Sequence, residues 1–325
     1  MSVRVLRPGL LTTVQDQGRH GHQHLGLSPG GAMDTIALAL ANALVGNPPG
    51  MAALEITVIG PELLFEEDTL VALCGAEFLG GFPHNRPVLA RAGSKLSVGR
   101  AVRGARAYLA VAGGFWLEAM LGSCSTYLPG AFGGLDGRAL RHGDVLPLAE
   151  NCSKERFAAL KRRNGSTVRW SAPPLTLPDR EPIVVHAVEG QHFASFDAAA
   201  QRTFFDTVWR VAPESNRMGF RLAGPALVRA DGEILSGPTC LGSVQVPPNG
   251  APIALMADHQ TTGGYPRIAE IAAADVPRVA QLAPGATLHF ALCSLETARE
   301  LRLDSKARLD ASLRSIAWEY GMSGK

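Results

Sequence analysis

Most apolar segments of this chain are short and are bounded by glycine or proline. Residues 54–59, 69–73, 107–111 and 183–188 are typical examples. Segments of this length fit β-strands and are too short for most helices. The 36 glycines and 22 prolines exceed ordinary usage and supply the turns that many short strands need. The pattern predicts a mainly β chain with a few short helices.

A few segments carry helix signals instead. Asp34 can cap a helix over Thr35–Val45, and Gly46 followed by Pro48 would end that helix. Three further helices are predicted over residues 153–163, 274–282 and 294–303. They are too few to change the expected fold class.

Four sequence landmarks recur in the same order in the two halves of the chain. They pair residues 27–33 with 211–218, 60–63 with 224–227, 80–83 with 263–266, and 92–96 with 284–288. Chance could supply one or two of these pairs, but four in order indicate a duplicated domain. The charged and then proline-rich stretch between the halves fits a linker. We therefore expect an N-terminal β domain at 1–150, a linker at 151–180 and a C-terminal β domain with a C-terminal helix at 181–325.

Charge and cysteine content exclude several classes of protein. Lys and Arg total 31 and Asp and Glu total 29, a balance too even for a nucleic-acid-binding protein. Uninterrupted apolar runs are too short for a membrane span, and the N-terminus lacks the apolar stretch of a signal peptide. The five cysteines show no CxxC spacing, so we expect free thiols in a reducing cytoplasm and no metal site.

Three short patterns have a functional and a structural interpretation. Gly26–Gly30 matches the G-x-S-x-G nucleophile elbow, but Pro29 follows the serine and no helix starts there, so a turn is preferred. Histidines at 20, 22 and 24 could share one face of a strand and bind a metal, yet no further ligand accompanies them. Cys124 would need an activating group to react, so a buried thiol is the simpler interpretation.

The densest polar cluster follows an apolar segment in the C-terminal half. Residues 251–256 predict a buried strand, and residues 258–267 then form a polar, glycine-containing loop. A strand that ends in such a loop is a usual place for a binding site. The candidate site residues here are Asp258, Gln260, Thr261, Thr262, Gly263, Gly264 and Tyr265. The glycines would let backbone N–H groups approach a ligand.

Two arginines flank a glycine upstream of this loop. Arg217 and Arg221 lie four residues apart, and either could bind a carboxylate or phosphate through its planar guanidinium. A surface salt bridge explains the spacing equally well. We keep Arg217 as a candidate substrate-binding residue.

In this order, the segments resemble the biotin-dependent carboxyltransferase-like family, which contains the C-type component of 5-oxoprolinase, the second component of allophanate hydrolase and the KipA-type regulators. The resemblance extends from about residue 3 to about residue 297. The stretches that carry it are residues 8–19, 31–34, 41–47, 54–57, 107–114, 121–126, 216–219, 242–247 and 256–266. Gly30 is a small departure, because a serine is expected before the second glycine.

The resemblance implies two tandem cyclophilin-like β-barrel domains, in agreement with the internal repeat. It also implies two partner chains, one B-like (KipI-like) and one A-like (LamB/YcsF-like). Within the matching stretches it adds Arg19, Asp34 and Gln245 to the expected substrate-binding residues.

Three functions remain open for such a chain. The first is a subunit of an ATP-dependent 5-oxoprolinase, which opens the lactam of 5-oxo-L-proline to give L-glutamate. Asp258 would then act as acid–base group, Gln245 and Gln260 would donate hydrogen bonds, and Arg217 or Arg19 would bind the substrate carboxylate. ATP would be used at the level of the complex.

The second function is a carboxyltransferase that moves a carboxyl group from carboxybiotin to urea or a similar small amide. Biotin is expected only in this case, and the sequence has neither a biotinylation sequence nor an ATP-grasp segment. The third function is a non-enzymatic, KipA-type antagonist of a kinase inhibitor. The polar site residues favour an enzyme, and the chain length favours the first function.

Overall fold

A computed structural model describes this chain over most of its length. The described residues are 2–149, 167–175, 177–178, 182–228 and 234–320. They divide into two compact units. Unit 1 comprises Met1–Arg19, Asp34–Leu177 and Ala307–Lys325, and unit 2 comprises His20–Met33 and Pro178–Lys306.

The described strands of unit 1 are antiparallel and form two sheets. The strands are β1 (Ser2–Arg7), β2 (Leu11–Gln15), β3 (Ala53–Thr57), β4 (Glu62–Phe65), β5 (Thr69–Phe78), β6 (Pro87–Ala90), β7 (Lys95–Ser97), β8 (Ala101–Val111) and β9 (Val145–Pro147). One sheet has the order β2-β3-β8-β5-β6 and the other β7-β4-β1-β9. Apolar residues from both sheets, among them Val5, Leu63, Leu73 and Leu109, join in one buried core.

The helix of unit 1, α1 (Thr35–Val45), begins and ends as its sequence predicts. Asp34 Oδ1 accepts hydrogen bonds from the backbone N–H groups of Ile36 at 3.1 Å and Ala37 at 3.0 Å. These bonds satisfy two of the N–H groups that a helix start leaves open. At the other end Gly46 has a φ of 86°, the left-handed conformation that suits glycine after a helix.

Unit 2 is built around a closed barrel. Its strands are β10 (Ile183–Glu189), β11 (Val208–Val211), β12 (Gly219–Ala223), β13 (Gly237–Pro238), β14 (Ser243–Gln245), β15 (Ile253–Leu255), β16 (Thr262–Gly263), β17 (Arg267–Ile271) and β18 (Thr287–Leu292). The barrel order is β10-β17-β14-β15-β12-β11-β18, and the parallel pair β10–β18 closes it. Strands β13 and β16 form a separate two-stranded ribbon. Trp209, Phe204 and Phe290 lie in the barrel core.

Three described helices follow the first: α2 (Ala198–Asp206), α3 (Val276–Ala280) and α4 (Leu295–Glu319). α3 and α4 lie where helices 274–282 and 294–303 were predicted, but α4 is much longer than its prediction. α2 was missed. The predicted helix 153–163 lies outside the described residues, and no helix in the described ranges is long and apolar enough to cross a bilayer.

The mainly β fold is confirmed, and the closed seven-stranded barrel of unit 2 is its clearest element. In unit 1 the strand pairing gives two sheets around a common core. The predicted strand at Pro225–Val228 is wrong, because these residues have no strand partner and Pro225 has no N–H to offer one.

The two units match the two halves of the chain except for two exchanged segments. Residues 20–33 belong to unit 2, and residues 307–320 belong to unit 1. A division at 150 and 181 assigns each segment to the other unit. Most of the expected linker, residues 151–166, lies outside the described ranges.

Candidate active site

Arg217 and Asp258 form a buried ion pair in unit 2. Strands β12 and β15 are antiparallel partners, with Gly219 opposite Leu255, so the residues just before β12 and just after β15 are neighbours. Arg217 Nε lies 2.9 Å from Asp258 Oδ2, and Nη2 lies 3.0 Å from Oδ1. The Arg217 side chain is 3% exposed and that of Asp258 is 0% exposed. Both carboxylate oxygens are thus bound in the fork geometry that arginine favours.

The same pair anchors the segment that unit 2 takes from the N-terminal half. Arg217 Nη2 also donates to the carbonyl of Gly31 at 2.6 Å. Nearby, Ser28 Oγ donates to the carbonyl of Ala257 at 3.0 Å, one residue before Asp258. The ion pair therefore holds three chain segments together at the start of the polar loop.

Gln245 and Gln260 form an amide pair beside this loop. Gln260 Nε2 donates to Gln245 Oε1 at 3.0 Å, which fixes the orientation of the Gln245 amide. Gln245 is 2% exposed, and its Nε2 atom is buried with no hydrogen-bond partner among the described residues. An unpaired buried donor costs about 1–3 kcal/mol and is rare in folded proteins. The donor is therefore available to a ligand carbonyl or oxyanion.

Gly263 makes room at this donor. A side-chain carbon on Gly263 would lie 2.5 Å from Gln245 Nε2 and 3.2 Å from Thr239 Cγ2. Only glycine lets the β16 backbone lie so close to the amide. Among the other predicted loop residues, Thr262, Gly264 and Tyr265 are exposed, whereas Thr261 is half-buried and its carbonyl accepts from the Thr239 N–H at 3.0 Å.

Two further residues of the loop network, Thr239 and His259, were not predicted. Thr239 Oγ1 donates to the carbonyl of Gln260, and His259 Nδ1 lies 2.7 Å from the same oxygen. A carbonyl can only accept, so this contact places the imidazole proton on Nδ1 and leaves Nε2 with a lone pair. Burial lowers the pKa of His259 below its ordinary value, which favours the neutral ring. The position of His259 between Asp258 and Gln260 was the available signal.

The remaining predicted site residues, Arg19 and Asp34, belong to unit 1. Asp34 caps α1, and its backbone N–H donates to the Tyr108 hydroxyl at 2.8 Å. Arg19 is buried, donates from Nη2 to the carbonyl of Ser125, and lies 4.8 Å above the ring centre of Phe132. Both residues thus have structural contacts within unit 1.

The patterns set aside from the sequence have ordinary structures. Ser28 lies in neither a helix nor a strand, and residues 23–25 form a 3-10 helix where the histidines were expected on a strand. The Cys124 thiol lies 3.7 Å from the Leu117 carbonyl, and partial burial raises its pKa. Within the described ranges no three His, Cys, Asp or Glu side chains converge as a metal site requires.

The arrangement in unit 2 suits chemistry on a small amide. It combines a buried N–H donor that can bind a carbonyl oxygen, a neutral imidazole that can accept a proton, and a glycine that keeps the space near the donor open. Donors of this kind stabilise the oxyanion that forms when an amide carbonyl is attacked.

Comparison with known families agrees with this chemistry. The profile described as "Carboxyltransferase domain, subdomain A and B" matches residues 25–292, most of the chain. This chain belongs to that carboxyltransferase family. The matched range contains the described strands of the barrel, and it includes Arg217, Gln245, Asp258 and His259.

Two curated relatives match this carboxyltransferase-family chain from end to end. The chain is 40% identical to the C-type component of 5-oxoprolinase from Escherichia coli (strain K12), over 97% of this chain and 98% of the relative. It is 37% identical to the C-type component of 5-oxoprolinase from Haemophilus influenzae, over 94% of this chain and 95% of the relative.

A larger solved structure contains the same fold. The crystal structure of the K. lactis urea amidolyase superposes with a TM-score of 0.86 and 31% identity. The match covers 96% of this chain but 20% of the urea amidolyase chain. The family fold therefore occurs both as a chain of this size and as one part of a larger polypeptide.

Proposed function

We propose that this chain is a subunit of an ATP-dependent 5-oxoprolinase complex, a cytoplasmic enzyme that opens 5-oxo-L-proline to L-glutamate. The observation that carries the proposal is its end-to-end similarity to two C-type components of 5-oxoprolinases. Both relatives are named as subunits, which indicates an assembly of several chains. The proposed partners are a B-like (KipI-like) chain and an A-like (LamB/YcsF-like) chain.

The buried amide of Gln245 gives the proposal its chemistry. The lactam of 5-oxo-L-proline is a resonance-stabilised amide, so attack on its carbonyl carbon needs stabilisation of the developing oxyanion. Gln245 Nε2 has no partner among the described residues and is held in place by Gln260. We assign it to the lactam oxygen. Gln260 then acts as the residue that positions Gln245.

Proton transfer is assigned to His259 in preference to Asp258. Asp258 was the expected acid–base group, but both of its oxygens bind Arg217. His259 Nδ1 bonds the Gln260 carbonyl, and burial favours the neutral ring, so Nε2 can accept a proton. The proposed role of Asp258 and Arg217 is to hold the loop that carries Gln260 and His259.

The exposed loop residues complete the proposed binding surface. Thr262, Gly264 and Tyr265 can contact the ring or the carboxylate of the substrate, and Thr261 ties the loop to Thr239. Arg217 is occupied by Asp258 and Gly31, so its expected contact with the substrate carboxylate gives way to the positioning role. Carboxylate binding by Arg19 stays a prediction.

ATP is proposed to act in the complex by activating the lactam carbonyl. The contribution assigned to this chain is to bind and orient the lactam, to stabilise charge on its oxygen and to move a proton at His259. Each of these steps uses groups described in unit 2.

A carboxyltransferase acting on urea or a similar amide is the alternative function. The match to the K. lactis urea amidolyase supports it, because that enzyme contains the same fold. Gln245 Nε2 would then bind the urea or ureido oxygen, and biotin would come from another chain. No observation favours the non-enzymatic KipA-type role over these two.

The test is reconstitution with the neighbouring A-like and B-like chains. ATP hydrolysis is measured with and without 5-oxo-L-proline, and glutamate release is quantified. We expect stimulation by 5-oxo-L-proline and a loss of about 100-fold in kcat for Gln245→Met, the cost of one oxyanion donor. If a well-formed complex shows no stimulation but carboxylates urea with a biotin carboxylase and biotin carrier, the alternative is correct.

Gln201→Met is the matched control for Gln245→Met. Gln201 also belongs to unit 2, and its Nε2 is bonded to the carbonyls of Phe193 and Phe196 beside α2. The same chemical change there should leave kcat unaltered. Equal losses in both variants would point to unfolding of unit 2 and contradict the role of Gln245.

A further inference from the structure

Unit 1 contains a second buried amide with an unpaired atom, and here the atom is an acceptor. Gln15, at the end of β2, is 0% exposed. Its Nε2 donates to Thr13 Oγ1 at 3.0 Å and to the Thr126 carbonyl at 3.1 Å. Both amide hydrogens are therefore used and the side-chain orientation is fixed. Gln15 Oε1 is buried with no hydrogen-bond partner among the described residues.

Thr126 contributes a second unpaired group at the same place. Its side chain is 0% exposed, and Oγ1 has no hydrogen-bond partner in the described part of the chain. The Gln15 amide bonds the backbone carbonyl of this same residue, so the two groups are close in space. A hydroxyl can donate and accept, whereas the amide oxygen can only accept. Together they offer one acceptor and one donor.

A rigid network holds Thr126 against the end of β2. The Asp16 carboxylate accepts from Ser123 Oγ at 2.6 Å, from the Cys124 N–H at 2.6 Å and from Ser125 Oγ. The Thr126 N–H donates to the Val14 carbonyl at 2.9 Å. The unpaired groups are thus fixed by several other bonds and cannot turn towards each other's network.

The wall over Thr126 is made of glycine. A side-chain carbon on Gly134 would overlap Thr126 Oγ1, and one on Gly133 would lie 3.0 Å from Arg19 Nη2. Five of the seven residues from 131 to 137 have a positive φ, including Ala131 at 52° and Asp136 at 54°. This loop is tied to the Thr126 segment by the Gly134 N–H, which donates to the Cys124 carbonyl at 3.0 Å. It is the side from which a ligand would enter.

We propose that Gln15 and Thr126 form a binding site for a small neutral group with an N–H beside a C=O: a secondary amide, a lactam or a ureido group. The ligand N–H would donate to Gln15 Oε1, and the Thr126 hydroxyl would donate to the ligand carbonyl. Two adjacent groups of complementary type match this pair in a way that an isolated donor or acceptor does not. The site lies in unit 1, so it does not depend on the reaction proposed for unit 2.

Ligand titrations on the full-length chain test the site. The probes are 2-imidazolidinone for a ureido group, 2-pyrrolidinone and 5-oxo-L-proline for a lactam, and N-methyl-2-pyrrolidinone as a probe without N–H. Binding is followed by calorimetry and by the 13C-methyl signal of Thr126, assigned by its loss in Thr126→Val. We expect saturable binding of the N–H probes with a shift of that signal, and none for the N-methyl compound. The tighter N–H probe tells a ureido from a lactam ligand.

Variants of Thr126 give the decisive comparison. Thr126→Val removes an unpaired hydroxyl at nearly constant volume, so the Tm of the empty chain should rise while affinity falls about fivefold or more, the loss of one hydrogen bond. Thr126→Ser keeps the hydroxyl and should retain affinity. Gln245→Met should leave the Thr126 signal and its titration unchanged, even if it abolishes catalysis. This separates failure of the unit 1 site from failure of the proposed reaction.

Three results would overturn the proposal. If no probe binds and Thr126→Val lowers the Tm, the two groups serve an ordered water molecule. If the probes bind equally well to Thr126→Val, they bind elsewhere. Equal affinity for 2-pyrrolidinone and its N-methyl derivative would show that Gln15 Oε1 accepts nothing from the ligand.

Discussion

Gln260 donates through Nε2 to Gln245 Oε1 at 3.0 Å, and this single bond leaves the Gln245 amide nitrogen directed away from Gln260 without a partner of its own. The fold supports this arrangement from three sides. Gln245 ends β14 between β15 and β17, Gln260 lies in the loop after β15, and Gly263 passes close by in β16. An unpaired donor is thereby kept buried where an apolar residue would cost less.

A methyl group at Gly263 should disrupt this arrangement. The new carbon of Gly263→Ala would lie 2.5 Å from Gln245 Nε2, so the amide must shift and its bond to Gln260 weakens. We expect kcat of the reconstituted complex to fall at least about tenfold, since displacement of a catalytic group by a fraction of an ångström is costly.

Gly237→Ala is the control for this change. Gly237 is paired directly with Gly263 in the β13–β16 ribbon, yet a side-chain carbon there meets nothing within 4 Å. The control should keep wild-type kcat and Tm. Equal activity of both variants would show that crowding at Gln245 does not matter for the reaction.

The Arg217–Asp258 pair should be far more costly to break than to replace. Asp258→Asn leaves the buried Arg217 charge uncompensated, and we expect the free energy of unfolding to fall by about 3–5 kcal/mol. The double variant Arg217→Met with Asp258→Leu removes both charges and should recover much of that loss. Urea unfolding of the single and double variants measures the coupling. A double variant as unstable as the sum of the two single variants would contradict this account.

The local features of this fold could be predicted from sequence. Asp34 and Gly46 fix the two ends of α1 within one segment, and residues 253–255 form a buried strand followed by a polar loop. Both depend on neighbouring residues alone. The sequence therefore placed Asp258 and Gln260 in one loop without any knowledge of the barrel.

The partners within the site could not be predicted, because they depend on strand pairing between distant residues. Arg217 and Asp258 are 41 positions apart and meet only because β12 pairs with β15. Spacing alone left Arg217 equally suited to a substrate carboxylate and to a salt bridge. Likewise, nothing local indicates that residues 20–33 pack in unit 2, where Gly31 binds Arg217.

Stability should depend on pH through two buried histidines. Burial lowers the pKa of His259 and of His84 in the folded chain, whereas in the unfolded chain both should titrate near about 6.5. As the pH falls through this value the unfolded chain binds more protons, so the free energy of unfolding decreases. Above about pH 7 these two groups contribute no slope.

Single substitutions should separate the two histidines. His259→Gln keeps a donor for the Gln260 carbonyl but cannot titrate, so the loss of stability between about pH 7 and about pH 5 should become shallower. His84→Gln should remove its own share, and the double variant should be the least sensitive. Urea unfolding at several pH values measures the slopes. An unchanged slope in both single variants would show that other groups cause the acid sensitivity.

The end of the described chain should contribute to the stability of unit 1 through one hydroxyl. Tyr320, which follows α4, donates to the carbonyl of Leu44 in the last turn of α1 at 2.7 Å. Its ring packs edge-on against Trp170 with 5.3 Å between ring centres. Tyr320→Phe should lower the free energy of unfolding by about 1 kcal/mol, because the Leu44 carbonyl loses its donor while the ring contact remains. Tyr320→Ala removes both contacts and should cost more. Equal stability of the Phe variant and the wild type, measured by urea unfolding, would show that water replaces the tyrosine hydroxyl at no cost.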